Sequence, residues 1–195
     1  MRIVQAFLTK NPCYNTDRNI VVKGLMLHSV GCGVQTAEHF LSLWNNEKFD
    51  RACVHAFIDG NDGTIYQTLP WTHRGWHAGG MANNTHIGIE MCEYSGLKYA
   101  GATAFVCDDP ESATMVAKTT YDAAVELFAK LSIEFHLDPL KDGVIISHCE
   151  GHLKGVATDH PDPEHLWKQL NLYYSMDTFR QAVFAEMKRR LEIAK

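Results

Sequence analysis

Residues 148–162 concentrate more ligand chemistry than a polar turn needs: the imidazoles of His148, His152 and His160, the thiol of Cys149, and the carboxylates of Glu150, Asp159 and Asp162. Two segments far upstream carry matching groups. His28 closes the apolar run Gly24-Leu25-Met26-Leu27, and Glu90 lies within His86-Ile87-Gly88-Ile89-Glu90-Met91. One imidazole at a strand end, a second imidazole with carboxylates nearby and a separate acidic residue describe a catalytic zinc centre. Zinc takes N, S or O ligands in a tetrahedron, and a catalytic site leaves the fourth position to water.

Such residues need regular elements to deliver them. Residues 20–30, with Ile20, Val21, Val22 and Leu25-Met26-Leu27, predict a strand covered on both faces. Thr36 to Asn45 predicts a helix behind a Thr N-cap, with Phe40, Leu41 and Trp44 on its apolar side. Cys53–Asp59 and Thr64–Leu69 flank Gly60-Asn61-Asp62-Gly63, a hairpin signal. In His86–Glu93 the alternation of Ile87, Ile89 and Met91 with Gly88, Glu90 and Cys92 sets Glu90 on the face opposite Ile89. Ser112–Phe135 is the clearest helix, striped by Val116, Tyr121, Ala124, Val125, Phe128 and Leu131, with Pro110 and Pro139 just outside it. Val144-Ile145-Ile146 predicts a short buried strand leading to His148, and Asp177–Ile193 a closing helix whose Lys188-Arg189-Arg190 run is a solvated face. Strands alternating with helices give an α/β fold with one central sheet. His28, Glu90 and His148 all fall near strand ends.

The chain has 195 residues, 46% of them hydrophobic and 21% charged, as one globular domain over 1–195 requires. A net charge of -5 argues against nucleic-acid binding. Of the eleven histidines, His39, His86 and His136 are expected to be solvated or packing residues. The six cysteines include no CxxC pair, which disfavours a ribbon or finger zinc site, and they are expected to be reduced thiols. Met1-Arg2-Ile3-Val4-Gln5 has neither the apolar core nor the cleavage site of a signal peptide, and no apolar run reaches membrane-spanning length. The expectation is a protein made in the cytoplasm, with no membrane or nucleic-acid partner, acting as a monomer.

In combination these segments resemble the zinc-dependent N-acetylmuramoyl-L-alanine amidases of the Amidase-2 type, whose fold is shared with the peptidoglycan-recognition proteins. The resemblance rests on Leu27-His28-Ser29, Val54-His55-Ala56-Phe57-Ile58-Asp59, Asp62-Gly63-Thr64-Ile65-Tyr66-Gln67, Trp76-His77-Ala78-Gly79, Asn84-Thr85-His86-Ile87-Gly88-Ile89-Glu90 and Ser147-His148-Cys149-Glu150. It is similar in particular to the catalytic domains of phage and prophage endolysins. It implies a single central mixed β-sheet flanked by helices, a Zn2+ cofactor and bacterial peptidoglycan as the partner. It further implies that His28 and His148 are zinc ligands. Asp162, in Asp162-Pro163, best matches the third ligand, but the spacing is longer than the family's, and Asp159 and His152 stay open as rivals. His148 and His152, four apart, suit one helix face.

Glu90 matches the family's acidic residue that handles the attacking water. His160 stands where many relatives have a Lys two residues before the acidic ligand, and His55 where some have a Tyr; both keep a donor that could serve an oxyanion or a substrate, and for both a place behind the site or plain exposure stays open. Trp76 and His77 are expected to meet the wall, the ring on sugar C–H surface and the imidazole on the peptide stem, whereas Trp71 is expected to pack. Cys149 is expected to point away from the metal on a strand. The reaction so implied is hydrolysis of the amide between N-acetylmuramic acid and L-alanine, by a lysin or autolysin that acts on the wall after release. The alternative is a peptidoglycan-binding module of the same fold that does not cut. No HExxH is present, so the usual zinc-protease helix is absent.

Overall fold

The computed structural model describes residues 1–101 and 103–193. Its strands are β1 (Ile3–Gln5), β2 (Gly24–Ser29), β3 (Ala56–Ile58), β4 (Ile65–Gln67), β5 (His86–Met91), β6 (Leu97–Ala100), β7 (Ala104–Cys107) and β8 (Ile145–Ser147). Its helices are α1 (Ala37–Trp44), α2 (Pro110–Glu134), α3 (His148–Leu153), α4 (Glu164–Gln169) and α5 (Met176–Ile193). Six strands form the central sheet in the order β1-β4-β3-β5-β2-β8, while β6 and β7 pair as a separate hairpin. Only β3–β4 is antiparallel in the large sheet, so the sheet is mixed.

Alternation along the strands separates two functions. Leu25 and Leu27 of β2, with Ile87, Ile89 and Met91 of β5, join Tyr121, Ala124, Phe128 and Leu131 of α2 and Phe179 and Val183 of α5 in the main core. Met26 faces the other way, toward Ala78, Ala82 and Ile146. His28 and Glu90 share that second face, and the parallel β2–β5 register sets them directly opposite one another. The apolar layer under α2 and α5 holds the sheet, which leaves its reverse face free for polar work.

Several local expectations need correction. β2 begins at Gly24: Val21 is exposed, and Ile20 and Lys23 send their N–H groups to the carbonyls of Thr72 and Thr85. Thr36 does not cap α1 with its side chain; the Asp59 carboxylate accepts from the Ala37 N–H at 2.8 Å instead. Pro110 is inside α2, at the first helical position, where a missing N–H costs nothing, and Asp109 caps the helix by accepting from Ser112 N–H at 3.0 Å. Cys149 lies on a helix, not a strand. The Lys188-Arg189-Arg190 run of α5, by contrast, is the solvated face expected, with Lys188 and Arg189 exposed, while Arg189 pairs with Glu186, Arg190 with Glu186 and Glu126, and Arg180 with Glu150 and Asp177.

A capping box starts α3. Ser147 Oγ accepts from Glu150 N–H at 2.9 Å, and Glu150 Oε2 accepts from Ser147 N–H at 3.3 Å. Arg180 of α5 then grips Glu150 through both its terminal nitrogens and also donates to the Ile145 carbonyl at 3.1 Å. The helix that begins with His148 is thereby fixed to β8 and α5 together. Arg180→Leu keeps the aliphatic stem but removes these charged hydrogen bonds, and should lower stability by about 1–3 kcal/mol. Urea denaturation checks this; an unchanged midpoint would mean that apolar contacts alone hold α5.

Candidate metal centre

At the C-terminal end of β2, His28 meets the first residue of α3 and the segment before α4. His28 Nδ1 lies 3.1 Å from His148 Nδ1 and 3.2 Å from Asp162 Oδ2, and His148 Nδ1 lies 3.6 Å from Asp162 Oδ1. All three residues are buried, and one donor atom from each falls within 4.8 Å of the others. Two ligand atoms on a tetrahedral zinc, each bound near 2.05 Å, sit about 3.3 Å apart. The His28–His148 and His28–Asp162 separations lie near that edge, and His148 approaches the other oxygen of the same Asp162 carboxylate, so the chemistry and spacing of the donor set fit a metal ion. The Asp162 carbonyl accepts from the Cys149 N–H at 3.2 Å, which ties the Asp162 segment to α3. The peptide bond between Asp162 and Pro163 is cis.

Hydrogen bonds behind the donors fix which ring nitrogen is free. His77 Nε2 lies 3.0 Å from the His86 carbonyl, so that nitrogen carries a proton and donates. His77 Nδ1 is then an acceptor, and it takes the Nε2–H of His28 at 3.0 Å. His28 is left with Nδ1 facing the other donors. On His148 the same logic runs through Thr158, whose hydroxyl donates to the Ala78 carbonyl at 3.2 Å and accepts from His148 Nε2–H at 3.3 Å. Both imidazoles therefore present Nδ1 inward, with the opposite N–H held by the protein, as metal-binding histidines generally are.

Electrostatics agree with that arrangement. Burial opposes charge on His28, but the Asp162 hydrogen bond and the Glu90 charge prevail and raise it above its ordinary 6.5. Burial, then the neighbouring His28, push His148 down to about 3. A metal ion bound here would take the place of the His28 proton between the same donors. Burial pushes Glu90 up to about 8, aided by Asp162 and Glu93 and resisted by His28. Glu90 Oε2 is shielded from solvent without a hydrogen-bond partner.

The remaining expected residues divide. His160 is exposed and stacks on His148, ring centres 4.6 Å apart, which leaves it at the mouth of the site. His152 and Asp159, the rival ligands, pair with each other at 3.8 Å, are largely exposed, and stay outside the donor triangle. His77, expected to meet the peptide stem, is buried, with both ring nitrogens engaged within the protein by His28 and the His86 carbonyl. Gly88 has no side chain, and His77 fills that space so closely that a Cβ there would sit 2.4 Å from its ring. His55 is likewise buried, its Nε2–H donating to the His73 carbonyl at 2.8 Å and its Nδ1 accepting from Gly88 N–H at 3.0 Å. Trp76 packs on Leu8, Cys13, Cys53 and Leu69, and its backbone bridges to Cys53, so it too serves the scaffold. Trp71 packs against the main core and His86 is a buried packing residue, as expected. Sequence reasoning missed Thr158 and the bracing role of His77. The Ser147-x-x-Glu150 box was a visible signal for the helix that starts at His148.

Residues 17–165 match the family model described as Amidase_2: N-acetylmuramoyl-L-alanine amidase. The N-acetylmuramoyl-L-alanine amidase XlyA of Bacillus subtilis (strain 168) is 49% identical over 53 residues, which are 26% of this chain and span 17% of that curated relative. Among solved structures, the hydrolase AmiA of Staphylococcus aureus, in complex with its ligand, superposes with a TM-score of 0.72 at 17% identity, covering 98% of this chain and 86% of that one. The catalytic domain of XlyA gives 0.65 at 21% identity, covering 94% and 99%. At these identities the structural likeness speaks for the fold.

Burial holds His55 down at about 4 in the folded chain, against 6.5 when free. A base depressed by folding contributes stability above its unfolded value and loses it as pH falls toward the folded one. Between pH 7 and pH 5 this group alone should remove about 2 kcal/mol. Urea denaturation at the two pH values, with chelator present, should show a loss in His55→Gln smaller by about that amount; equal losses would show that His55 does not report the acid sensitivity.

Proposed function

Because the chain belongs to the Amidase_2 family of N-acetylmuramoyl-L-alanine amidases, we propose that it hydrolyses, in a zinc-dependent reaction, the amide bond between N-acetylmuramic acid and L-alanine in bacterial peptidoglycan. Residues 1–195 act as one catalytic domain, in the setting of a phage or prophage endolysin or an autolysin. The observation that carries this reading is the buried triangle of His28, His148 and Asp162 beside a carboxyl group with an unused oxygen. A complete donor set next to such a carboxyl favours hydrolysis over a module that only binds the wall.

In this proposal His28, His148 and Asp162 hold Zn2+. Bound there, zinc supplies Lewis acidity and makes a water much easier to deprotonate. Glu90 is the general base. Its position opposite His28 in the β2–β5 register puts it beside the donors, and its unpartnered Oε2 is free to take a proton from the attacking water. The same carboxyl, once protonated, returns that proton to the departing L-alanine nitrogen. Its elevated affinity for a proton suits the second half of that task. His160, exposed against His148, donates to the oxygen that becomes negative as the carbonyl carbon turns tetrahedral. No helix among the described residues is long and apolar enough to cross a membrane.

Mass spectrometry of peptidoglycan digested with the purified protein tests the reaction. Intact stem peptides with a free L-alanine amine should appear, vanish with a zinc chelator and return with added zinc. Cuts within the stem or the glycan would overturn the bond assignment, and binding without cleavage by zinc-loaded protein would favour the recognition module. In the same assay Glu90→Gln should retain zinc while losing on the order of 100-fold or more in kcat, whereas His28→Ala should lose the metal. Full turnover by Glu90→Gln would remove Glu90 from its role.

A further inference from the structure

Glu93 follows β5, three residues after Glu90, and is only 1% exposed. A carboxyl group so enclosed needs hydrogen-bond partners. Its Oε1 accepts from Gly31 N–H at 3.1 Å and its Oε2 from the Tyr99 hydroxyl at 2.6 Å, while its own backbone N–H donates to the Val34 carbonyl at 3.0 Å. Glu93 thus grips the segment that leaves His28 at two points. Tyr99, on β6, spends its one O–H on Glu93, so its oxygen accepts from His165 Nε2–H at 3.0 Å. His165 lies three residues after Asp162, and its N–H donates to the Pro161 carbonyl at 3.1 Å.

The chain Glu93–Tyr99–His165 therefore ties together the three segments that carry His28, Glu90 and Asp162. Among the described residues, none of its members hydrogen-bonds to the donor triangle or to Glu90. The plain alternative is that Tyr99 merely anchors the β6–β7 hairpin. That hairpin has other anchors: Gln169 donates to the Thr103 carbonyl at 2.6 Å and accepts from Phe105 N–H at 3.1 Å, and its side chain's one hydrogen bond to His165 among the described residues is to the backbone carbonyl within α4, at 3.2 Å, not to the ring that meets Tyr99. The Tyr99 ring also packs on Phe105, centres 5.3 Å apart. The hydroxyl-to-carboxylate link is more than attachment requires.

We infer that Glu93 and Tyr99 are positioning residues for the metal centre, holding the Asp162 segment in place relative to His28 and Glu90. The inference rests on the zinc-dependent reading above. Tyr99→Phe tests it most cleanly, because it deletes one oxygen and keeps the ring. Three quantities should be measured: the zinc Kd by competition with a chromophoric chelator, the Tm of the metal-free protein, and kcat and KM on wall fragments. Loss of a hydrogen bond made directly to a metal ligand typically weakens binding about 10- to 100-fold; this chain acts one step further out, so a rise in zinc Kd of about 3- to 10-fold is expected, with kcat falling and KM little changed. Glu93→Gln, which cannot accept from both donors without offering one of them an N–H, should do the same.

Gln169→Ala is the control. It should lower the metal-free Tm by loosening the hairpin, yet leave the zinc Kd at the wild-type value. The inference is overturned if Tyr99→Phe binds zinc and turns over as the wild type does, even with a lower Tm. It is equally overturned if Gln169→Ala weakens zinc as much as Tyr99→Phe. Wild-type protein that bound no zinc would overturn both this inference and the proposed function, whereas wild-type zinc binding with unaltered variants would sink the positioning role alone.

Discussion

A buried imidazole has two ring nitrogens to satisfy, and much of this molecule is arranged around meeting that demand at His28. One nitrogen is served from within, by a relay through His77 to the His86 carbonyl. The relay is possible only because Gly88 leaves room for the His77 ring against β5 and because Asn83 Oδ1 holds the His77 and Ala78 backbone from below. The other nitrogen is turned toward His148 and Asp162, where no apolar packing could replace a partner. The core under α2 and α5 makes that expense tolerable, since it stabilises the sheet from the face opposite His28 and Glu90.

The parts of this arrangement legible in the sequence were those written as local pattern. The run Leu25-Met26-Leu27-His28 and the alternation from Ile87 to Glu90 announced two strands with their polar residues on the correct face, and the structure aligns them residue for residue. The mixed sheet with flanking helices followed from the order of elements and from the family resemblance. What stayed hidden depends on pairing across distance. From the sequence His77 reads as a contact for the peptide stem, because nothing local marks a ring as filling the space over Gly88 on β5. Glu93 closes the run read as a strand, but β5 stops at Met91 and Glu93 donates its N–H to the Val34 carbonyl, a partner that no local pattern announces. Three-residue strands such as β1 are too short to show alternation, and they exist because an extended neighbour offers hydrogen bonds.

Acidic groups around the centre are kept in different states by their surroundings. Asp162 is drawn below its usual range by His28 and His148 although burial opposes this, while burial drives Glu90 and Glu93 upward, to about 8 and about 7. Three carboxyl groups sharing a small enclosed volume cannot all be ionised cheaply. The one wedged between two imidazoles keeps its charge. The one with an unused oxygen favours its proton, and the third is held by a tyrosine hydroxyl and a backbone amide. A division of labour among identical functional groups thus comes from contacts alone.

The donors are also far apart along the chain: His28 precedes His148 by 120 residues and Asp162 by 134. β2, which carries His28, takes its neighbours β5 and β8 from later sequence. During synthesis on the ribosome, the strand bearing His28 emerges long before either flank exists, and closing such distant pairings is slow. A growing chain therefore holds one of the three donors until residues 148–162 have been made. The triangle closes late and all at once, so no partial version of it exists along the way.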